Sequence, residues 1–466
     1  MPSVFLLYLS IRGLNFWRAV LIGLFGGFTF FVAQIYWISQ YLGPVPLIAL
    51  AGLQAFIFAL FAGIMAQVSR HSKTLALEAF LVGVLWVGRE YLSTHWPYGG
   101  FPWSRVAMSQ SNSPLSWWVS VGGFGLLSFI VVFFTIWIGL AVYARSKSVG
   151  ALALGSFVLV GAIGFGLGAI PIESKGSMDI VGVQGNANAG LFANTRRGEI
   201  LENHLNATGQ LLANSTKADL VVWPENASDV NPDDDVDVRI QLEDLVNNKL
   251  KAPFMFGTIT SSGDEIFNSS KLWLPGRGEV DQYDKKRPVP FGEYVPDRDF
   301  FYALSPDLVG LISRGYSFGT RDGIFEVNGS KVGILICFEE AIDELPREVV
   351  TQGAQVLVAQ TNNADFGRSD ESVQQNAIAK LRAIETGRSL VSVSTVGPSV
   401  IFDPKGHVLS IANSYTPAVV RAKVPLSNAL NLNMRGGWLF DPICAAASAV
   451  ITVLLVVGRR RSSTKL

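Results

Sequence analysis

The chain reads as an α-helical membrane domain joined to an α/β domain, and three observations predict this. Hydrophobic residues make up 49% of its 466 residues against 16% charged, with a mean hydropathy of +0.34, more apolar than a soluble protein of this length. The apolar residues gather in runs of about twenty, the length a bilayer core requires, in the first third and again near the C-terminus. Between Ser177 and Pro425 short β-like runs alternate with helical patterns, as in an α/β domain with a largely buried sheet.

The apolar runs fall at residues 19–38, 46–68, 75–92, 117–143 and 149–172, and a sixth at 438–457. The opening run, 4–9, is too short to span and lacks the positive start and cleavage site of a signal peptide. Arg12 and Arg18 precede the first run, Arg70 and Lys73 separate the second from the third, and Arg145 and Lys147 the fourth from the fifth. Arg459, Arg460, Arg461 and Lys465 follow the sixth; Arg105 is the exception among otherwise uncharged turns. Positive loops stay in the cytoplasm, so both termini are expected inside and the segment between the fifth and sixth runs outside. The expected division is a membrane domain with five spans at 1–172, an extracytoplasmic domain at 173–430, and a span with a short basic cytoplasmic tail at 431–466. Arg89 and Glu90, at the end of the third run, are costly in a bilayer and read either as a structural ion pair or as functional groups. Tyr98-Gly-Gly-Phe-Pro-Trp103 is an aromatic turn suited to the interface.

In the α/β region strands are expected at 178–183, 220–223, 254–258, 331–336, 355–360 and 389–395, with helices at 194–214, 236–249 and 372–386. Asp233, Asp234 and Asp235 lack EF-hand spacing and read as a solvated loop or helix start. Basic and acidic residues balance at 37 each, leaving no electrostatic footprint for nucleic acid. The four histidines show no metal-ligand spacing, so neither a metal nor another cofactor is expected. Of the two cysteines, Cys444 lies in the C-terminal apolar run, and a disulfide with Cys337 is not expected.

Cys337 is where the chemistry concentrates. The run Gly333-Ile-Leu-Ile336 ends abruptly in a thiol followed by Phe338, Glu339 and Glu340, the pattern of a parallel strand whose tip faces a crevice. In isolation such a cysteine is either a small hydrophobe or a nucleophile. Two further segments bring ionisable partners. Leu220-Val-Val-Trp-Pro-Glu225 delivers a carboxylate, and Tyr283-Asp-Lys-Lys-Arg-Pro-Val-Pro-Phe-Gly-Glu293 a lysine and a second carboxylate. A glutamate can take and return the thiol proton, and a lysine can stabilise a thiolate or an oxyanion. No histidine lies in these segments, which argues against a Cys-His arrangement.

Trp-Pro-Glu225, Lys285 with Val-Pro-Phe-Gly-Glu293, and Cys337-Phe-Glu339, in this order, resemble the nitrilase, or carbon–nitrogen hydrolase, superfamily with its Glu-Lys-Cys triad. Together with Tyr294-Val-Pro296, Gly100-Phe-Pro-Trp103, Asn362-Asn-Ala-Asp-Phe-Gly367 and the flanking spans, the chain resembles the apolipoprotein N-acyltransferase family along most of its length. The resemblance implies a nitrilase-like α-β-β-α sandwich for the extracytoplasmic domain. It implies Glu225 as general base, Cys337 as nucleophile and Lys285 as oxyanion stabiliser. Lys285 is preferred to Lys286 because the family's lysine stands four residues before the valine, here Val289. Glu293, Phe338 and Glu339 match supporting positions, where the two glutamates serve the site or make structural hydrogen bonds. Arg382, Glu385 and Arg388 match the family on a helix shared with packing.

The implied reaction is ping-pong transfer of an acyl chain from a phospholipid, typically phosphatidylethanolamine, through a Cys337 thioester to the N-terminal amine of diacylglyceryl apolipoproteins, at the outer side of a bacterial inner membrane. Asn362 and Phe366 are candidate lipid contacts. So are Phe300, Phe301 and Leu311, in the apolar stretch after Glu293, which reads either as core or as a lid in the headgroup boundary. Departures from the family are Asp365 in place of an aromatic, Phe338 in place of tyrosine, and no counterpart of two spans that commonly precede the segment at 19–38. A membrane-tethered amidase and a non-catalytic membrane scaffold with the same fold are the alternatives.

Overall fold

The computed structural model describes residues 1–190, 193–212, 217–312 and 314–463. The end of the helix expected at 194–214 and Lys465 of the basic tail lie outside them. The chain divides into two compact units, Met1–Pro171 with Asn431–Leu466, and Ile172–Leu430.

The first unit opens with α1 (Pro2–Ile11), α2 (Phe16–Gln34), α3 (Ile38–Leu42), α4 (Pro44–His71), α5 (Leu75–His95), α6 (Val119–Tyr143) and α7 (Lys147–Ala169). Polar caps set several starts: Asn15 accepts from Arg18 N at 3.0 Å ahead of α2, and Thr74 from Leu77 N at 3.2 Å ahead of α5. The first apolar run stops being helical at Gln34 rather than residue 38, and α6 kinks where Gly123 takes a φ of +66°. Among the described residues five helical stretches are long and apolar enough to cross a membrane: Phe16–Gln34, Pro44–His71, Pro114–Tyr143, Lys147–Ala169 and Gly437–Gly458.

The run at 75–92 is helical as α5 but is not one of the five, because Glu78, Arg89 and Glu90 lie along it. All three are buried, and Glu78 and Glu90 accept hydrogen bonds within this unit. Glu78 accepts from the Tyr8 hydroxyl and from Arg12 Nε, both at 2.6 Å. Glu90 accepts from Trp86 Nε1 at 3.1 Å and Val106 N at 3.0 Å. Arg89 lies 3.6 Å from Glu90 and over the Phe31 and Trp86 rings. The Arg89–Glu90 pair is thus part of a buried structural network.

In the second unit β1 (Ser177–Gln184), β2 (Leu220–Val222), β3 (Phe254–Ser262), β4 (Glu265–Leu274) and β5 (Gly278–Asp284) join β12 (Ala418–Pro425) in a sheet of order β12-β1-β2-β3-β4-β5. The second sheet runs β11-β10-β9-β8-β7-β6, from β6 (Ile324–Val327), β7 (Ser330–Ile336), β8 (Val356–Thr361), β9 (Ser389–Ser394), β10 (Val400–Phe402) and β11 (Val408–Ile411). The centre of each sheet is parallel, β1-β2-β3 and β7-β8-β9.

One core lies between the sheets: Met178, Ile180, Leu220 and Val222 meet Ile334, Ile336, Val356, Val358 and Val391. Outside the first sheet, Leu201 and Ala207 of α8 (Glu199–Leu212) and Leu242 of α9 (Val236–Asp244) pack on Val181, Trp223 and Phe254. Asp235 caps α9, accepting from Val238 N at 3.2 Å, so the aspartate run is a helix start. Two short helices, α10 (Arg298–Leu304) and α11 (Pro306–Gly310), hold the apolar stretch after Glu293. Outside the second sheet lie α12 (Glu344–Thr351) and α13 (Glu371–Thr386). The unit is therefore a four-layer α-β-β-α sandwich. The chain then returns to the first unit through α14 (Leu432–Arg435) and α15 (Phe440–Ser463), where Asp441 takes a hydrogen bond from Arg105 Nη2 at 2.5 Å.

Candidate active site

The parallel strands β2 and β7 carry Glu225 and Cys337 just beyond their C-terminal ends, and β5 delivers Lys285. Trp223-Pro-Glu225 leaves β2 in a bend held by Gly257 N donating to Pro224 O at 3.1 Å, and Glu225 is buried. Its Oε1 accepts from Asn268 Nδ2 at 2.6 Å and Lys285 Nζ at 3.3 Å, and its Oε2 from Asn362 N at 2.8 Å. Lys285 Nζ also donates to Glu293 Oε1 at 3.0 Å, while Asn268 Nδ2 bridges the two glutamates with a second contact of 2.9 Å to Glu293. Backbone contacts fix the lysine, with its N on Asn268 O at 2.8 Å and its O accepting from Gly319 N at 2.9 Å.

Cys337 is half-buried and takes a φ of +54°, a left-handed conformation that costs a residue with a Cβ about 1–3 kcal/mol. It turns the chain sharply from β7 into the 3₁₀ turn Cys337–Ala341. Two fully buried side chains hold this geometry. Glu339 accepts from Ile336 N at 2.9 Å, Lys286 N at 2.7 Å, Arg287 N at 3.1 Å and the Tyr283 hydroxyl at 3.0 Å. It ties the thiol's strand to the lysine's segment. Arg382, on α13, donates to Glu340 O at 2.7 Å and Ala341 O at 2.9 Å and pairs with Glu385. Arg388 donates to Ala354 O at 2.7 Å, away from this turn. Phe338 is buried.

Burial, then the Glu225 charge, pushes the Cys337 thiol well above its ordinary pKa against the opposing pull of Lys285. Burial also raises Glu225, with Lys285 working against it and Glu293 with it. For Lys285 burial disfavours the ammonium, but Glu225 and Glu293 outweigh it and the pKa lies well above the usual lysine range. The thiol is thus held neutral beside the Lys285 ammonium.

Of the residues expected from the sequence, Glu225, Lys285, Glu293 and Cys337 share one electrostatic cluster, and Glu339 supports it through backbone groups. Asn362 contributes its N–H. Phe300 and Leu311 are solvent-exposed, at 61% and 47%, and Phe301 packs edge-on against Phe291, so the stretch is not core of this unit. Asn268 was not legible, because it lies in β4, whose buried Asn-Ser-Ser-Lys run hides the strand pattern. Glu371 was also missed. It is buried, accepts from Asn363 Nδ2 at 2.6 Å, and burial pushes its carboxyl up to about 8.

A family model for the apolipoprotein N-acyltransferase N-terminal domain matches residues 1–137, and one for carbon–nitrogen hydrolases matches residues 183–432. The chain is 30% identical to the apolipoprotein N-acyltransferase of Mycolicibacterium smegmatis over 95% of its own length and 80% of the relative's. It is 27% identical to that of Geobacter metallireducens, over 96% and 88%. Among solved structures, a nitrilase-superfamily amidase from Nesterenkonia is similar with a TM-score of 0.42 and 16% identity, over 55% of this chain and 93% of its own.

Proposed function

This chain belongs to the apolipoprotein N-acyltransferase family, and on that premise we propose that it transfers an acyl chain from a phospholipid to the N-terminal amine of diacylglyceryl apolipoproteins through a thioester on Cys337. One observation carries the mechanism: Glu225 and Lys285, in contact at 3.3 Å, both act electrostatically on a half-buried thiol presented by a strained strand tip. Glu225 takes the thiol proton as sulfur attacks the sn-1 ester carbonyl of the donor, for which phosphatidylethanolamine is the proposed lipid. Lys285 Nζ stabilises the oxyanion, the ester C–O bond breaks, and Glu225 returns the proton to the departing lysophospholipid oxygen. In the second half the free α-amine attacks the thioester, the C–S bond breaks, and the amine proton passes through Glu225 to the thiolate.

Glu293 holds Lys285 in place, and Glu339 holds the lysine and thiol segments in mutual register. The helical unit makes this a multi-pass membrane protein, and the basic residues flanking its apolar runs support a reaction on the outer face of the inner membrane. Exposed Phe300, Tyr302, Leu304 and Leu311 favour a lipid substrate over the small polar substrate of an amidase.

The test is intact-mass analysis after incubation with phosphatidylethanolamine in mixed micelles. The wild-type chain should gain one acyl mass at Cys337 and lose it on adding a diacylglyceryl-cysteine peptide. Cys337→Ser should gain none, and Glu225→Gln should acylate about 10²- to 10⁴-fold more slowly, the usual weight of a general base. Acylation of Cys337→Ser at the normal rate would sink the mechanism.

A further inference from the structure

The other acids around Lys285 are each answered by donors, Glu225 by Asn268, Lys285 and Asn362 N, Glu293 by Lys285, Asn268 and Val289 N, and Glu339 by Tyr283 and three backbone N–H groups. Asp365 is different. Its half-buried side chain has no hydrogen-bond or ion-pair partner among the described residues. The cations that could answer it are engaged elsewhere. Arg368 lies over the Tyr415 ring, 4.4 Å from its centroid, and Lys285 is held between Glu225 and Glu293.

The support under Asp365 is rigid. It sits in the 3₁₀ turn Ala364–Phe366, three residues after the Asn362 N–H that donates to Glu225. Ala364 N is bonded to Asn362 Oδ1 at 3.3 Å, and Asn363 is pinned by Thr361 and Ser394, at 3.0 and 2.5 Å. The turn also faces the triad electrostatically. Burial, then the Glu225 charge, pushes the Asp365 carboxyl up to about 6, and the Tyr316 phenol feels Glu293, Glu225 and Asp365 together. At neutral pH Asp365 is therefore mostly ionised and partly desolvated, without a counterion. A partly desolvated carboxylate gains from a cation that pairs with it, and none of the described residues supplies one.

We propose that Asp365 receives the primary ammonium of a substrate, making it the residue that selects for an –NH₃⁺ group at this site. The inference rests on the acyl-transfer reading for its two sources of that group, the ethanolamine headgroup of the donor and the α-ammonium of the acceptor. The donor's ammonium would pair with Asp365 while its ester carbonyl lies at the thiol; the acceptor's α-ammonium would be held by Asp365 until it gives a proton to solvent and attacks as the free amine.

The test uses the full chain in detergent and reads protection of Cys337 from a neutral alkylating reagent by intact mass, which needs no turnover. Two probe pairs each remove the cation: glycerophosphoethanolamine against its 2-hydroxyethyl analogue, and a diacylglyceryl-cysteine peptide with a free against an acetylated N-terminus. In the wild-type chain and in Asp365→Glu, the cationic member of at least one pair should protect at a concentration about tenfold or more below its neutral partner, the weight of one charge-assisted hydrogen bond. In Asp365→Asn, which keeps the shape, that preference should vanish while alkylation without probe stays as in wild type. The pair that responds identifies the source. No preference in the wild-type chain, or a preference that survives in Asp365→Asn, overturns the proposal. Thioester formation from phosphatidylethanolamine is followed in parallel. Its failure, with the preference intact, would remove the acyl-transfer reading and leave the ammonium site standing.

Discussion

Replacing Glu339 with glutamine tests whether the site is built around a shared backbone clamp. Glu339 is fully buried and accepts from Ile336 N, Lys286 N, Arg287 N and Tyr283 Oη at 2.7–3.1 Å. The clamp spans one residue before Cys337 and one residue after Lys285. A glutamine has one acceptor oxygen where the carboxylate has two. Tyr283 Oη reaches both oxygens at 3.0 Å, so the amide group faces either Lys286 N and Arg287 N, which lose their acceptor together, or Ile336 N alone. Hydrogen bonds to a charged group are worth about 1.5–3 kcal/mol each, so the loss is about 1.5–6 kcal/mol, less what is recovered by no longer burying a charge, since burial holds the Glu339 carboxyl above its usual range. The expected outcome is a drop in kcat for Cys337 acylation of about 10²-fold or more, with KM for phospholipid little changed. Amide exchange should rise either at Lys286 and Arg287 together or at Ile336, according to the orientation of the new amide. Normal kcat with normal exchange would refute the clamp; a rise in KM alone would make Glu339 a substrate contact instead.

Phe300→Ser combined with Leu311→Ser removes two exposed apolar side chains, each worth about 1.5–3 kcal/mol when fully buried in lipid. Acylation from bilayer phospholipid should slow by about tenfold or more while Tm moves little, as for surface sites; acylation at the normal rate would show that lipid enters elsewhere. For Glu371, burial raises the carboxyl from 4.5 to about 8. Between those values the folded chain keeps a proton the unfolded chain has lost, so the stability it contributes is complete below about 4.5 and fades as pH rises through 8, on the order of 5 kcal/mol in all. Glu371→Gln should therefore flatten the fall of Tm between pH 5 and 8; an equally steep fall in the variant would reassign the proton.

The parts of the site legible in the sequence are those where a buried strand meets polar residues without transition. Val222 runs through Trp-Pro into Glu225, and Ile336 runs directly into Cys337. The six strands expected from such runs all form, because parallel strands buried on both faces show as continuous apolar stretches. The six others escaped because their physics differs. β4 buries Asn268, Ser269, Ser270 and Lys271, β6, β10 and β11 are only three or four residues long, and β5 and β12 mix exposed with buried positions. Asn268, which aligns Glu225 with Glu293, was lost with its strand. Glu339 was visible as an acid, but its work is done on backbone N–H groups that meet it only after folding. Asp365 was visible as a departure from the family, and its lack of a partner is a property of three dimensions.

The charge balance of the trio explains why the thiol needs a base at all. Lys285 carries one positive charge and pairs with both Glu225 and Glu293, so its charge is already shared before the cysteine ionises. Moving the thiol proton to bulk water would add a negative charge in a buried site, which burial and Glu225 both resist. Moving the same proton onto Glu225 leaves the total unchanged and frees Lys285 to turn from a carboxylate toward the developing oxyanion. Lys285 is thus held in reserve by the group whose protonation releases it. In the proposed mechanism that coupling ties thiolate formation to the moment an acyl carbonyl is present to receive it, and burial keeps Cys337 a neutral thiol between turnovers.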